Sequence, residues 1–348
     1  MLFRIRVADL SEAKRLLPRY FGILDGKETA SYLSCKRIPA DVDFNENEEV
    51  LQEAHNNAVK QFREEGSVKG GAGEGNKKSL LDFKLKLAKK MLSSCELCER
   101  HCRANRLKGE EGHCRVLEPK ISTEFLHWGE EPELVPSHTI FFTGCTFNCV
   151  FCQNYDISQN PKAGFVMSPK RLAEVIERRA DSAQNVNWVG GDPTSNLPYI
   201  LETLTHCTAN TPQVWNSNMY LTEKTMDLLD GVIDIYLTDF KYGNNECAKR
   251  LSKVSNYWGV ITRNHAIARS QCEMIIRHLV LPKHFDCCSK PVLEWIAENL
   301  KDARVNVMDQ FRPEYNACDH PELKKRLSHE EFSQAYKLAR DLGLSITD

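Results

Sequence analysis

The chain has 348 residues, 46 of them basic and 48 acidic, for a formal net charge of −2. That length builds one large domain plus an appendage, and near-neutrality gives no sign of charge-driven binding to nucleic acid or anionic membrane. No apolar run approaches the ~20 residues needed to cross a bilayer, and the start, Met1-Leu2-Phe3-Arg4-Ile5-Arg6, lacks an apolar signal core, so the cytoplasm is the expected location.

Residues 1–92 read as a helical, charged amino-terminal extension. Leu10, Ala13, Leu16 and Leu17 follow helical spacing, as do Leu51, Ala54, Ala58 and Phe62. A glycine-rich linker near 67–78 carries too little apolar surface to order itself. A helix over 79–92 follows, with a broad apolar stripe that includes Leu80, Leu81, Phe83 and Leu87.

Residues 93–137 form a cysteine-rich segment. Cys95, Cys98, Cys102 and Cys114 are spaced for a closed site, either structural zinc or an auxiliary 4Fe–4S cube. His101 and His113 are alternative ligands, and four free or redox-active thiols are the bland reading. A closed metal site would supply folding energy to a segment too small for its own core.

From residue 138 to the end the pattern changes to short apolar runs alternating with amphipathic helices. Strands are expected at 138–143, 187–190, 213–216, 232–239, 274–281 and 304–308. Helix caps stand between them: Ser168 before Pro169, Thr222 before Glu223, and the Ser328/Glu331 capping box before the last helix. Six such strands imply an α/β fold with a parallel sheet and right-handed crossovers. Eight would close a full barrel; six give a partial one.

The first of these strands runs into Cys145-Thr146-Phe147-Asn148-Cys149-Val150-Phe151-Cys152. Three thiols at this spacing leave one corner of an iron–sulfur cube without a protein ligand. The loop follows a parallel strand, so it lies at the carboxyl end of the sheet, where α/β folds bind ligands. The remaining cysteines, including the adjacent Cys287 and Cys288, read as small buried hydrophobes.

This cysteine loop resembles the signature of the radical S-adenosylmethionine (SAM) superfamily, and the nearest likeness is to proteins related to the pyruvate formate-lyase activating enzyme. The resemblance covers about 138–310 and implies a partial (β/α)6 barrel. It implies a 4Fe–4S cluster on Cys145, Cys149 and Cys152, with SAM on the open iron and an electron donor such as a flavodoxin or ferredoxin. It also implies that SAM is cleaved to a 5′-deoxyadenosyl radical that takes hydrogen from a substrate.

Phe151 stands where the family's aromatic residue packs beside adenine; plain core packing is the alternative. Gly190-Gly191-Asp192 matches the family's Gly-Gly-Glu-type motif for the SAM amino group, with a shorter acid. Asp239 and Lys241 match an Asp-x-Lys pair facing the SAM carboxylate. Asn216 replaces an aspartate of the relatives, which puts a monovalent cation there in doubt. Arg277, Gln310, Arg312 and Tyr315 are candidate substrate contacts.

Two substrate classes stay open. One is a glycine of a protein partner, as for a glycyl-radical-enzyme-activating protein. The other is a peptide side chain, a nucleotide or a small metabolite. A third reading makes both cysteine groups structural zinc sites in a non-catalytic interaction protein.

Overall fold

The computed structural model describes residues 10–40, 42–44, 46–65 and 78–347. The expected glycine-rich linker lies outside them as far as residue 77. The frame is one eight-stranded sheet in sequence order: β1 (Ile121–His127), β2 (Ser137–Phe142), β3 (Asn185–Gly190), β4 (Gln213–Ser217), β5 (Ile235–Asp239), β6 (Glu273–Leu279), β7 (Arg304–Met308) and β8 (Ser345–Ile346). Strands β2 to β8 run parallel, and β1 is antiparallel to β2. The six expected strands are β2 to β7. The two edges, β1 and β8, are additions to the expected set. β1 belongs to the sheet although its residues fall in the cysteine-rich stretch of sequence.

The strands alternate with period two. Ile140, Phe142, Trp188, Trp215, Tyr236 and Ile276 point outward into the main core under the helices. Val214, Ile235, Leu237 and Ile275 point inward to a second core, which also takes Leu17, Tyr20 and Leu134. The partial barrel is therefore plugged at its amino-terminal end by the amino-terminal helices and the β1–β2 loop.

Polar contacts fix that plug. The Glu273 carboxylate accepts the backbone N–H groups of Arg19 and Tyr20 at 2.7 and 2.9 Å, satisfying the free first turn of helix Pro18–Leu24. Arg19 pairs with the buried Asp234 at 2.5 Å. Asn185 on β3 donates to the Tyr20 hydroxyl at 3.0 Å. The amino-terminal region is thus built into the base of the barrel, and the opposite, carboxyl end stays free for a site.

Candidate active site at the carboxyl ends of the strands

The cysteine loop leaves β2 at Gly144, whose φ of +83° suits glycine. A Cβ there would come within 2.3 Å of the Val116 side chain and 3.3 Å of the Cys114 carbonyl. The loop thus rests directly on the end of the other cysteine group. Its backbone is tied to the helix after β5: Asn148 N–H donates to Ser252 O at 3.1 Å and Val150 N–H to Leu251 O at 2.8 Å.

Each thiol of the loop has a polar neighbour. Phe147 N–H and the Asn218 amide reach Cys145 Sγ at 3.3 and 3.8 Å. The Ser252 hydroxyl donates to Cys149 Sγ at 2.9 Å, and Ser158 Oγ lies 3.3 Å from Cys152 Sγ. Burial pushes the Cys145 thiol well up, and Asp192 and the other two thiols add to it. Burial also raises Cys149, to about 12, against the pull of Lys241. Two desolvated thiols and the half-buried Cys152, each beside a polar group, suit a cationic metal centre, which would displace their protons. The donor set fits a cluster with three cysteine ligands.

Lys241 lies just past β5 and pairs with Asp239. Burial works against its charge, but Asp239 and then Cys149 outweigh burial and hold the pKa above its ordinary value. Its backbone N–H donates to the Tyr257 hydroxyl at 2.8 Å. A fixed positive charge therefore stands beside the thiols at the strand ends. Asn216 continues the inward series of Val214 and is 7% exposed.

The glycine pair serves a purpose the sequence did not disclose. A Cβ on Gly190 would lie 2.2 Å from the backbone of Phe142, and one on Gly191 would lie 2.1 Å from Gly144 O. The glycines let β3 pass against the start of the cysteine loop, bonded by Gly191 N–H to Phe142 O and Asp192 N–H to Gly144 O at 2.9 and 3.0 Å. The Asp192 carboxylate is buried and engaged: it accepts from Thr194 N–H, the Ser217 hydroxyl and Asn218 N–H at 3.0, 3.0 and 3.1 Å. It links the ends of β3 and β4 and so places Asn218 over Cys145.

Phe151 is buried, edge-on to Phe311 and Tyr242 with ring centroids 5.9 and 6.5 Å apart. The segment after β7 follows the cysteine loop. Phe311 meets Phe151, Gln310 O accepts from Gln153 at 3.0 Å, and Tyr315 stacks on Tyr155 at 5.0 Å. This segment therefore rims the mouth of the barrel. Tyr155 and Tyr315 remain exposed there, as does Arg312.

Arg277 is turned to another use. It sits beside Asp239 in the β5–β6 register, and its Nε and Nη2 donate to Glu131 at 2.7 and 2.6 Å. It also pairs with Glu130. Glu130 in turn meets His127 at 3.0 Å and Asn187 at 3.2 Å, and Asn306 donates to Glu131 at 2.8 Å. A self-neutralised polar layer thus fills the barrel between the apolar plug and the strand ends.

The second cysteine group is a neighbour of the first. Cys95, Cys98, Cys102 and Cys114 all line one small cavity, with Arg106 and His113. His101 turns away to Glu99, 2.9 Å distant. Gly112 allows close passage, since a Cβ there would lie 2.5 Å from Cys102 Sγ. Arg100 joins the groups by donating from Nε to Thr146 O at 2.9 Å. Arg100 Nη2, Arg106 Nε and Thr194 Oγ1 are buried without a hydrogen-bond partner among the described residues, and all three residues line this cavity.

Residues 139–296, from β2 into the helix after β6, match the model of the radical SAM superfamily. The chain belongs to that superfamily, whose members are enzymes that use a 4Fe–4S cluster and SAM and draw an electron from an external reductant. An uncharacterised protein of Methanocaldococcus jannaschii is 46% identical over 340 residues, spanning 95% of this chain and 98% of its own. Among solved structures, a domain of pyruvate-formate lyase-activating enzyme from Bacteroides vulgatus is similar at 17% identity and a TM-score of 0.39, over 47% of this chain and 97% of that one. Methylornithine synthase is similar at 12% identity and a TM-score of 0.43, over 94% and 84%. No helix among the described residues is long and apolar enough to cross a membrane.

Sequence reasoning missed Ser158, Asn218 and Ser252 as partners of the thiols. Asn218 carried a signal, because it follows the end of β4. Ser252 carried none: it ends a helix 103 residues beyond Cys149.

Proposed function

We propose that Cys145, Cys149 and Cys152 hold the 4Fe–4S cluster and that the enzyme takes hydrogen from a glycine of a protein partner docked at the mouth of the barrel. When bound, cluster and SAM supply a 5′-deoxyadenosyl radical by one-electron cleavage of the sulfonium. The chain's own residues orient and shield that chemistry. Lys241, held by Asp239, receives the SAM carboxylate as a point charge. Backbone oxygens around Gly190 and Gly191 receive the amino group, while Asp192 keeps that turn in place. Asn216 lines the inward side, and Phe151 walls the site through Phe311.

The observation that carries the reading is the convergence of three thiols on one loop, each beside a polar group, with the Lys241–Asp239 pair. The exposed Tyr155–Tyr315 stack beside the cysteine loop supports a macromolecular partner, since exposed aromatic residues at a rim favour docking. The reductant would be a small flavodoxin- or ferredoxin-type protein.

A second reading keeps the chemistry and changes the substrate to a small polar molecule. The layer of His127, Glu130, Glu131, Arg277 and Asn306 favours it, but those charges already satisfy one another. The test is anaerobic turnover with candidate proteins carrying deuterated glycine. Deuterium in the 5′-deoxyadenosine and a glycyl-type electron paramagnetic resonance signal support the first reading. Deuterium arriving only from a labelled small-molecule pool supports the second.

We also propose that Cys95, Cys98, Cys102 and Cys114 form a closed metal–thiolate centre, zinc or 4Fe–4S. The unpartnered donors of Arg100 and Arg106 support it, because metal-bound sulfur would accept from them. Iron and zinc counts on Cys98→Ser decide between the metals.

A further inference from the structure

A third group of thiols lies behind the active site. Cys247 Sγ, a ligand nitrogen of His284 and Cys287 Sγ all lie within 4.8 Å of one another. Cys247 and Cys287 are 3.8 Å apart at sulfur, and Cys288 Sγ is 3.9 Å from Cys287 Sγ. Tetrahedral zinc with Zn–S bonds of about 2.3 Å separates its sulfur ligands by about 3.8 Å. We propose that Cys247, His284 and Cys287, completed by Cys288, form a structural zinc site separate from both other cysteine groups.

The imidazole is set for the task. His284 Nδ1 lies 2.7 Å from the Pro282 carbonyl. A carbonyl only accepts, so Nδ1 carries the proton and Nε2 keeps its lone pair. Metal-binding histidines are commonly oriented by such a bond. Nε2 now accepts from Arg250 Nη2 at 3.0 Å, a bond that the ion would replace. Three thiolates and a neutral imidazole on a divalent ion leave one net negative charge. The Arg250 guanidinium, anchored by Glu322, balances it.

The backbone is also shaped for this meeting. Cys287 and Cys288 lie on a single π-helical turn, Phe285–Ser289, a conformation that concentrates at functional sites. Cys247 lies in the first turn of helix Asn245–Ser252. The Asn244 side chain joins the two, accepting Cys247 N–H at 2.8 Å and donating to Cys287 O at 2.7 Å. Gly243 permits the approach, since a Cβ there would lie 2.2 Å from Pro291 Cγ and 2.7 Å from Cys287 O. Ser252, at the far end of the same helix, donates to Cys149. The ion would brace the helix that holds the cysteine loop.

The test uses full-length protein, purified without oxygen and with both metals counted. C247S/C287S is expected to lose one zinc per chain while keeping its iron, and C318S, at an exposed cysteine, to keep both. Because the double variant could misfold, the wild-type protein is also alkylated with and without a zinc chelator. Cys287 is exposed, yet it should label slowly until the chelator is added, whereas Cys318 labels freely throughout. Equal zinc in wild type and double variant overturns the proposal. So does chelator-independent labelling of Cys287, or a Cys247–Cys287 disulfide found in the anaerobic protein.

Discussion

The hydroxyl of Ser252 donates a 2.9 Å hydrogen bond to Cys149 Sγ and is itself 2.6 Å from the hydroxyl of Tyr242. It joins the helix after β5 to the cysteine loop after β2. Hydrogen bonds to cluster sulfurs stabilise the more negative, reduced state and raise the reduction potential. Ser252→Ala should therefore keep its iron but lower the potential. A differential loss of about 1 kcal/mol corresponds to about 40 mV for one electron. Redox titration followed by electron paramagnetic resonance checks this, and an unchanged potential contradicts it.

Lys241→Gln removes a positive charge placed beside both Asp239 and the thiols. Loss of a charged hydrogen bond of about 1.5–3 kcal/mol should weaken SAM binding about 10- to 100-fold. Iron content should be unchanged, because Lys241 is not a thiol ligand. Titrating SAM against the reduced cluster signal measures the effect.

Gly191→Ala places a methyl 2.1 Å from Gly144 O and 2.9 Å from Ser158 Cα. Both neighbours are backbone and cannot swing aside. The variant should lose about 2–3 kcal/mol of stability and retain less iron after reconstitution, because the displaced segment carries Cys145. Denaturant unfolding and iron analysis report the two effects separately.

The His127–Glu130–Arg277 layer predicts a stability plateau in pH. The His127 pKa is raised, chiefly by its hydrogen bond to Glu130. Its contribution is complete below about 6.5, the unfolded value, and is lost as pH rises through the folded one. For Glu130, burial opposes ionisation, but Arg277 and His127 win and hold it at about 2 against an ordinary 4.5. That contribution is present above the unfolded value and is lost as pH falls toward about 2. Thermal unfolding across pH should show both slopes, and His127→Gln should flatten the alkaline one. Water reaches His127, so that slope will be shallow.

Strands β2 to β7 were legible as short apolar runs with helices between and after them, three of which open on the caps Ser168, Thr222 and Ser328. β1 was not: Ser122, Thr123, Glu124 and His127 give it a polar surface, and its pairing depends on β2. β8 is two residues long, too short to carry a strand pattern, and its pairing depends on β7. The place of the cysteine loop at the end of β2 and the pairing of Asp239 with Lys241 were legible from spacing and family likeness. The occupations of Asp192 and Arg277 were not, since each partners side chains from other strands or loops. The Cys247–His284–Cys287 group spans a crossover that local spacing cannot bring together.

The most direct measurement of the central claim is SAM cleavage by protein reconstituted with iron and sulfide, reduced with dithionite under anaerobic conditions. The account predicts 5′-deoxyadenosine from the wild type and none from Cys145→Ala, Cys149→Ala or Cys152→Ala. Wild-type protein that binds no iron at these three cysteines, or that carries a full cluster there and yields no 5′-deoxyadenosine, would contradict it.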